Sequence, residues 1–253
     1  MAHIDYGILT AVPKEMAAYY AACQESKLIK IGSVEYTIGS LCGKSVALVP
    51  VGWGTTCAAA VMTHLIENLK PKAVFFTGTA GGISTGLNQG DIVIGSQAFE
   101  IDLYNLITAC EGTPYVEGLV HSFKHERQPR IYSADPELFQ MAKNMMPMFH
   151  SKAIHKKQSI LARVYCGTLA TGNNFPLRPE DYLFLKRENV LAYAMEGSAI
   201  YQTSWLFNVP SLVVRGISNL YSEEGSVSNI ETSEVKLAAN NAANFVMKLL
   251  EYI

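Results

Sequence analysis

The stretch KAVFFTGTAGGIST, Lys72–Thr85, decides the fold. Ala73, Val74, Phe75 and Phe76 succeed one another without the polar alternation of a half-solvated strand, the pattern of a strand covered on both faces. The run then empties into Gly78, Gly81 and Gly82 with small residues between them, a loop whose amides can face a ligand at the carboxyl edge of a sheet. A plain turn would use the same glycines equally well.

Outward from this strand, strand-like and helix-like segments alternate. Tyr6–Val12 reads as a short strand, and PKEMAAYYAAC follows as a helix with Pro13 in its first turn, which places Glu15 just past a strand end. Residues 27–51 read as three short strands, and a helix spans 55–69. Beyond 85, DIVIGSQAF, RVYCGTLATG and LAYAM read as strands. ADPELFQMAKNMM, capped near Ser133, RPEDYLFLKRE and EGSAIYQTSWLF read as helices. The closing helix repeats apolar residues at Ala238, Ala242, Phe245 and Leu249, the spacing of one buried face. The pattern predicts an α/β protein, a single domain over 1–253 with a central mixed β-sheet flanked by helices. Residues 108–132 carry weak signals.

Composition narrows the partners. With 20 basic and 22 acidic residues, a net charge of -2 and no long run of like charge, nothing marks a nucleic-acid or membrane surface, so a small molecule is the expected ligand. MAHIDYGILTAVPKE is too short and too charged for a signal segment or a span, and a cytoplasmic protein is expected. Five scattered cysteines read as reduced residues, and six histidines share no pattern. No metal site and no cofactor are expected: no GxxxxGK[ST] or HExxH is present. VGWGTTC, Val51–Cys57, is a poor dinucleotide fingerprint, because Cys57 stands at the third glycine position and the strand before it belongs to a meander.

Three further stretches bring chemistry to strand ends. AYAMEGSAI sets Glu196 before a helix start, where it complements the helix amino terminus or accepts two adjacent ribose hydroxyls. SLVVRGISN sets Arg215, Ser218 and Asn219 close together, with Arg215 the natural counterion of Glu196. TGNNFP offers Phe175, a flat ring that packs or stacks on a base.

Taken together, Glu15, GTAGG, AMEG and VVRGIS resemble the nucleoside phosphorylase superfamily, and within it the 5′-methylthioadenosine/S-adenosylhomocysteine nucleosidase branch. The resemblance runs over nearly the whole chain, is firm at 6–20, 45–100 and 165–222, and is poor from about 105 to 160. It implies a nucleoside phosphorylase-like fold and a purine nucleoside N-ribosyl hydrolase, at least a homodimer. It assigns Glu15 to the attacking water, Met195 and Glu196 to the ribose, Thr79 to the sugar's surroundings and Gly81 to substrate binding. Phe175 falls to purine stacking, Ser218 with Arg215 to support of the last catalytic group, and Trp53 to the neighbourhood of the 5′ substituent. Phe76 stands where phosphorylases carry an arginine for phosphate, which favours water as nucleophile.

Two positions depart from the pattern. Asn219 replaces the aspartic acid that protonates N7 of a leaving adenine. An amide donates a hydrogen bond but no proton, which leaves open a 6-oxopurine substrate, slow adenine release, or a site that only binds. Trp53 replaces a smaller aliphatic residue and either shortens the 5′ pocket or stacks on a different 5′ group.

Overall fold

The computed structural model describes residues 4–110, 120–121, 123–224, 226–228 and 230–253. The strands are β1 (Tyr6–Thr10), β2 (Gln24–Ile31), β3 (Val34–Leu41), β4 (Lys44–Pro50), β5 (Ala73–Gly82), β6 (Ile92–Glu100), β7 (Tyr132–Ser133), β8 (Lys152–His155), β9 (Gln158–Leu161), β10 (Val164–Thr171), β11 (Val190–Ala194) and β12 (Ser211–Leu220). The helices are α1 (Ala17–Ala22), α2 (Thr55–Leu69), α3 (Ile101–Cys110), α4 (Pro136–Met145), α5 (Pro179–Arg187), α6 (Gly197–Phe207) and α7 (Thr232–Tyr252). Ten strands form one mixed sheet in the order β11-β10-β6-β12-β5-β1-β4-β3-β2, with β7 on β6.

The apolar run behaves as its pattern demands. Val74, Phe75 and Phe76 are wholly buried in β5, which pairs in parallel with β1 and β12. Helices cover both faces. A Cβ at Gly216 would meet Ala238 of α7, whereas Val213, an odd number of residues away on β12, faces Gly197 of α6. No helix among the described residues is long and apolar enough to cross a membrane.

Three expectations need correction, and one element was not expected at all. The small-residue run 78–82 is not a loop: β5 continues to Gly82, pairing with β12 on one side and with Ala192 and Tyr193 of β11 antiparallel on the other. The first strand ends at Thr10, because Pro13–Met16 forms a 3-10 turn ahead of α1. The cap of α4 is Asp135, whose carboxylate accepts from the amides of Glu137 and Leu138. The hairpin β8–β9 had no prediction. Its strands are four residues long, and Lys156 and Lys157 hold the positive-φ positions where Asn-Gly would have announced a turn. Of the weak segment 108–132, residues 111–119 and 122 lie outside the described residues.

Candidate active site

The carboxyl ends of β1, β5, β11 and β12 surround a cleft of about 270 Å³. One of its two buried acids is Glu15, carried by the 3-10 turn after β1 and only 5% exposed. Four donors hold its carboxylate: the Thr79 amide (2.7 Å) and hydroxyl (2.9 Å) on Oε1, and the amides of Ala11 (3.1 Å) and Val12 (3.3 Å) on Oε2. Three of these are fixed backbone groups. The Thr79 hydroxyl alone can rotate, and turning it frees a lone pair of Oε1 for a water molecule. Room for the carboxylate comes from Gly78, whose φ of +148° suits glycine and whose absent Cβ would sit 2.7 Å from both Glu15 oxygens.

Glu196 lies where β11 hands over to α6, 3% exposed. Arg215 Nη2 donates to its Oε2 at 2.8 Å, and the Gly54 amide donates to its Oε1 at 3.2 Å. Both partners of the ion pair are buried, so each compensates a charge that would be costly alone. The Arg215 guanidinium also lies 4.5 Å over the Phe76 ring centroid. Gly54, φ +90°, thus offers its amide to a carboxylate rather than to a dinucleotide pyrophosphate.

Ser218 and Asn219 are neighbours in β12, yet both line the cleft. The register against β5 slips between Ile217 and Asn219, and this bulge breaks the alternation that would turn the two side chains to opposite faces. The Ser218 hydroxyl donates to Asn219 Oδ1 at 2.8 Å. That contact leaves the amide nitrogen Nδ2 buried at the cleft wall with no hydrogen-bond acceptor among the described residues. Gly81 gives it space: a Cβ there would lie 2.9 Å from Nδ2.

Of the ten residues singled out in the sequence, Glu15, Trp53, Thr79, Gly81, Phe175, Met195, Glu196, Ser218 and Asn219 line the cleft together. Trp53 and Phe175 flank its mouth, 72% and 58% exposed. Arg215 does not line it. It sits behind Glu196, bonded to that carboxylate, where the sequence reading set it as the counterion, and it has no hydrogen bond to Ser218 or Asn219. Phe76, buried beneath Arg215, does not face the cleft either.

Tyr193 and Tyr221 were missed. Both line the cleft, their rings 6.1 Å apart and nearly perpendicular. Tyr193 donates to the Asn174 carbonyl at 2.8 Å, which fixes the loop bearing Phe175. Burial pushes the Tyr193 phenol up to about 12, and that of Tyr221 upward as well. Period-two counting back from Met195 and on from Asn219 would have found them.

A mixed sheet closing on a cleft with two buried carboxylates and a poised amide defines a class. The chain belongs to the phosphorylase superfamily, whose family description matches residues 5–251. Within that class it is similar to 5′-methylthioadenosine/S-adenosylhomocysteine nucleosidases. That of Bacillus licheniformis is 31% identical over 248 residues, 97% of this chain and 98% of the relative. That of Maridesulfovibrio salexigens is 30% identical over 247 residues, with 97% and 98% covered. Solved structures share the fold. The Colwellia psychrerythraea nucleosidase in complex with adenine has a TM-score of 0.81 at 23% identity, covering 99% of this chain and 96% of its own. The Streptococcus pneumoniae nucleosidase in complex with 8-aminoadenine has a TM-score of 0.79 at 22% identity, covering 99% and 100%.

Proposed function

We propose that this chain hydrolyses the N-glycosidic bond of a purine nucleoside, with water as the nucleophile. One observation carries the reading: Glu15 and Glu196 face the same cleft as the partnerless Asn219 amide, and no lysine or arginine among the described residues lines that cleft. A phosphate dianion entering there would meet two carboxylates and no cation, whereas a neutral water is oriented by either acid. Glu196 accepts the ribose diol through oxygens that Arg215 and Gly54 hold in place. Glu15 receives the water once the Thr79 hydroxyl turns. Positive charge developing on the ribosyl ring then lies between two carboxylates, which stabilises the transition state more than the neutral substrate.

Two supports for the base differ. The curated relatives are named as nucleosidases of adenine nucleosides. In the cleft, however, an amide NH₂ offers two hydrogens and no acceptor, which fits the N7 and O6 edge of a 6-oxopurine better than the N7 and amino edge of adenine. The second reading is therefore a 6-oxopurine nucleoside hydrolase. The test is release of free base from methylthioadenosine, S-adenosylhomocysteine, inosine and 5′-substituted inosines, with and without phosphate. Hydrolysis without a phosphate requirement is expected. Phosphate-dependent release, or tight binding with no release of any base, would overturn the hydrolase reading. A cytoplasmic homodimer accompanies the proposal, and light scattering at micromolar concentration checks the oligomer.

A further inference from the structure

Beside the reaction cleft lies a second hollow of about 460 Å³, and the two share Val12, Glu15, Thr79, Ile230 and Val235. Ala17 and Ala239 extend its apolar wall. Lys14, from the 3-10 turn, and Lys236, from α7, bring two ammonium groups to it from separate elements. Neither lysine forms an ion pair or hydrogen bond with another described residue, in contrast to Lys72, Lys186 and Lys248, which are all paired with acids.

A single exposed lysine is an ordinary solvated charge. Two of them on one apolar hollow that opens from a nucleoside cleft constrain what the hollow can hold. With the base at Asn219 and Phe175 and the diol at Glu196, the part of the substrate left to place is its 5′ end. The hollow continues the cleft past Glu15 and Thr79. We infer that it receives the 5′ substituent, and that Lys14 and Lys236, two ammonium groups against the single Glu15 carboxylate of the lining, select a substituent with a net negative terminus, a carboxylate on an apolar spacer. This rests on the nucleoside reading above. An uncharged alkylthio group gains only apolar contact there. An amino-acid terminus brings an ammonium group that two lysines repel, offsetting the attraction of its carboxylate.

The experiment compares two nucleosides on the same base, one with a 5′-carboxypropylthio group and one with its carboxamide isostere. Steady-state rates are measured at about 0.02 M and about 1 M salt, where the screening length falls to roughly 3 Å. The acid is expected to be favoured about three- to tenfold in kcat/KM at low salt, expressed in KM and collapsing toward one at high salt. Lys14→Met and Lys236→Met should each lower that ratio, and Lys236→Glu should invert it. Calorimetric Kd values for the same pair give a second reading that does not depend on turnover. Equal KM and equal Kd for acid and amide at low salt overturn the inference while leaving hydrolysis standing. Absence of cleavage with unequal, salt-sensitive Kd values sustains the anionic selectivity and overturns the hydrolase reading instead.

Discussion

Asn219 differs from an aspartic acid by one NH₂ group in place of one oxygen, and the chemistry of the leaving base turns on it. Its Oδ1 is already engaged by the Ser218 hydroxyl, so the group aimed at the base donates without being able to ionise. Asn219→Asp puts a titratable acid at the same spot. Adenine release from methylthioadenosine should rise, by up to about 10² to 10⁴, the usual worth of a general acid. The variant's pH–rate profile should gain a descending alkaline limb that the parent lacks, because only the aspartic acid loses a proton. Unchanged adenine release with an unchanged profile would show that position 219 does not govern the leaving group. Glu15→Gln tests the other end. A glutamine must turn its NH₂ toward two of four donors, so about 1–3 kcal/mol of stability should be lost along with most turnover. Denaturant midpoints and base release read the two effects separately. Glu15 and Glu196 were legible in the sequence because each sits where one element hands over to the next. Arg215's partner was legible by charge alone. Tyr193 and Tyr221 were not, since a tyrosine at a strand end reads equally as core.

Strand β12 shows how an element serves the site by departing from regularity. Upstream, Leu212 to Ile217 run in register with β5 and are wholly or almost wholly buried. The bulge that follows brings two consecutive side chains into one cleft. Residues 89–91 hold it: the Gly90 amide donates to the Ile217 carbonyl at 2.7 Å, and Gln89 Nε2 donates to the Ser218 carbonyl at 3.0 Å. Gln89 also bonds Glu234 in the first turn of α7, so the bulge and the helix are tied together. One residue earlier, Gly216 lets α7 lie directly on the strand, since a Cβ there would come within 2.0 Å of the Ala238 carbonyl oxygen. Gly216→Ala must therefore displace α7. A loss of about 1–3 kcal/mol or more is expected in urea unfolding, together with a raised KM, because α7 supplies Val235 to the cleft. Retention of both parent values would show that the helix yields without cost. The helix itself was legible from its apolar spacing. The bulge was not, for SLVVRGISN carries the same apolar pattern whether or not the register slips. The glycine-rich end of β5 misled for a related reason: small residues chosen for close approach of strands look like a loop.

At the scale of the whole molecule, the antiparallel contact of β11 with the end of β5 closes a circuit through β12, β6 and β10, and the cleft opens at its rim. This closure joins residues more than a hundred positions apart through Gly81 and Gly82, which leave no side-chain pattern, so no local reading could reach it. Around and beneath it the fold buries tyrosines heavily. Besides Tyr182, six of the chain's 13, Tyr19, Tyr36, Tyr132, Tyr193, Tyr201 and Tyr221, are at most 7% exposed. Burial raises all six phenols, those of Tyr36, Tyr132 and Tyr193 to about 12. In the unfolded chain a tyrosine ionises near pH 10. Because the folded values are higher, the unfolded state binds fewer protons above pH 10, and stability must fall as pH rises from there. Below pH 10 the six contribute no slope; between about 10 and 12 their effects add, so the loss should steepen. The measurement is a spectrophotometric alkaline titration beside far-UV circular dichroism. The exposed tyrosines should ionise first with the dichroism intact, and roughly half of the tyrosinate signal should appear only in step with its collapse. If all 13 ionised while the dichroism held, the phenols would have water and space around them, and the closed, tightly packed sheet described here would be excluded.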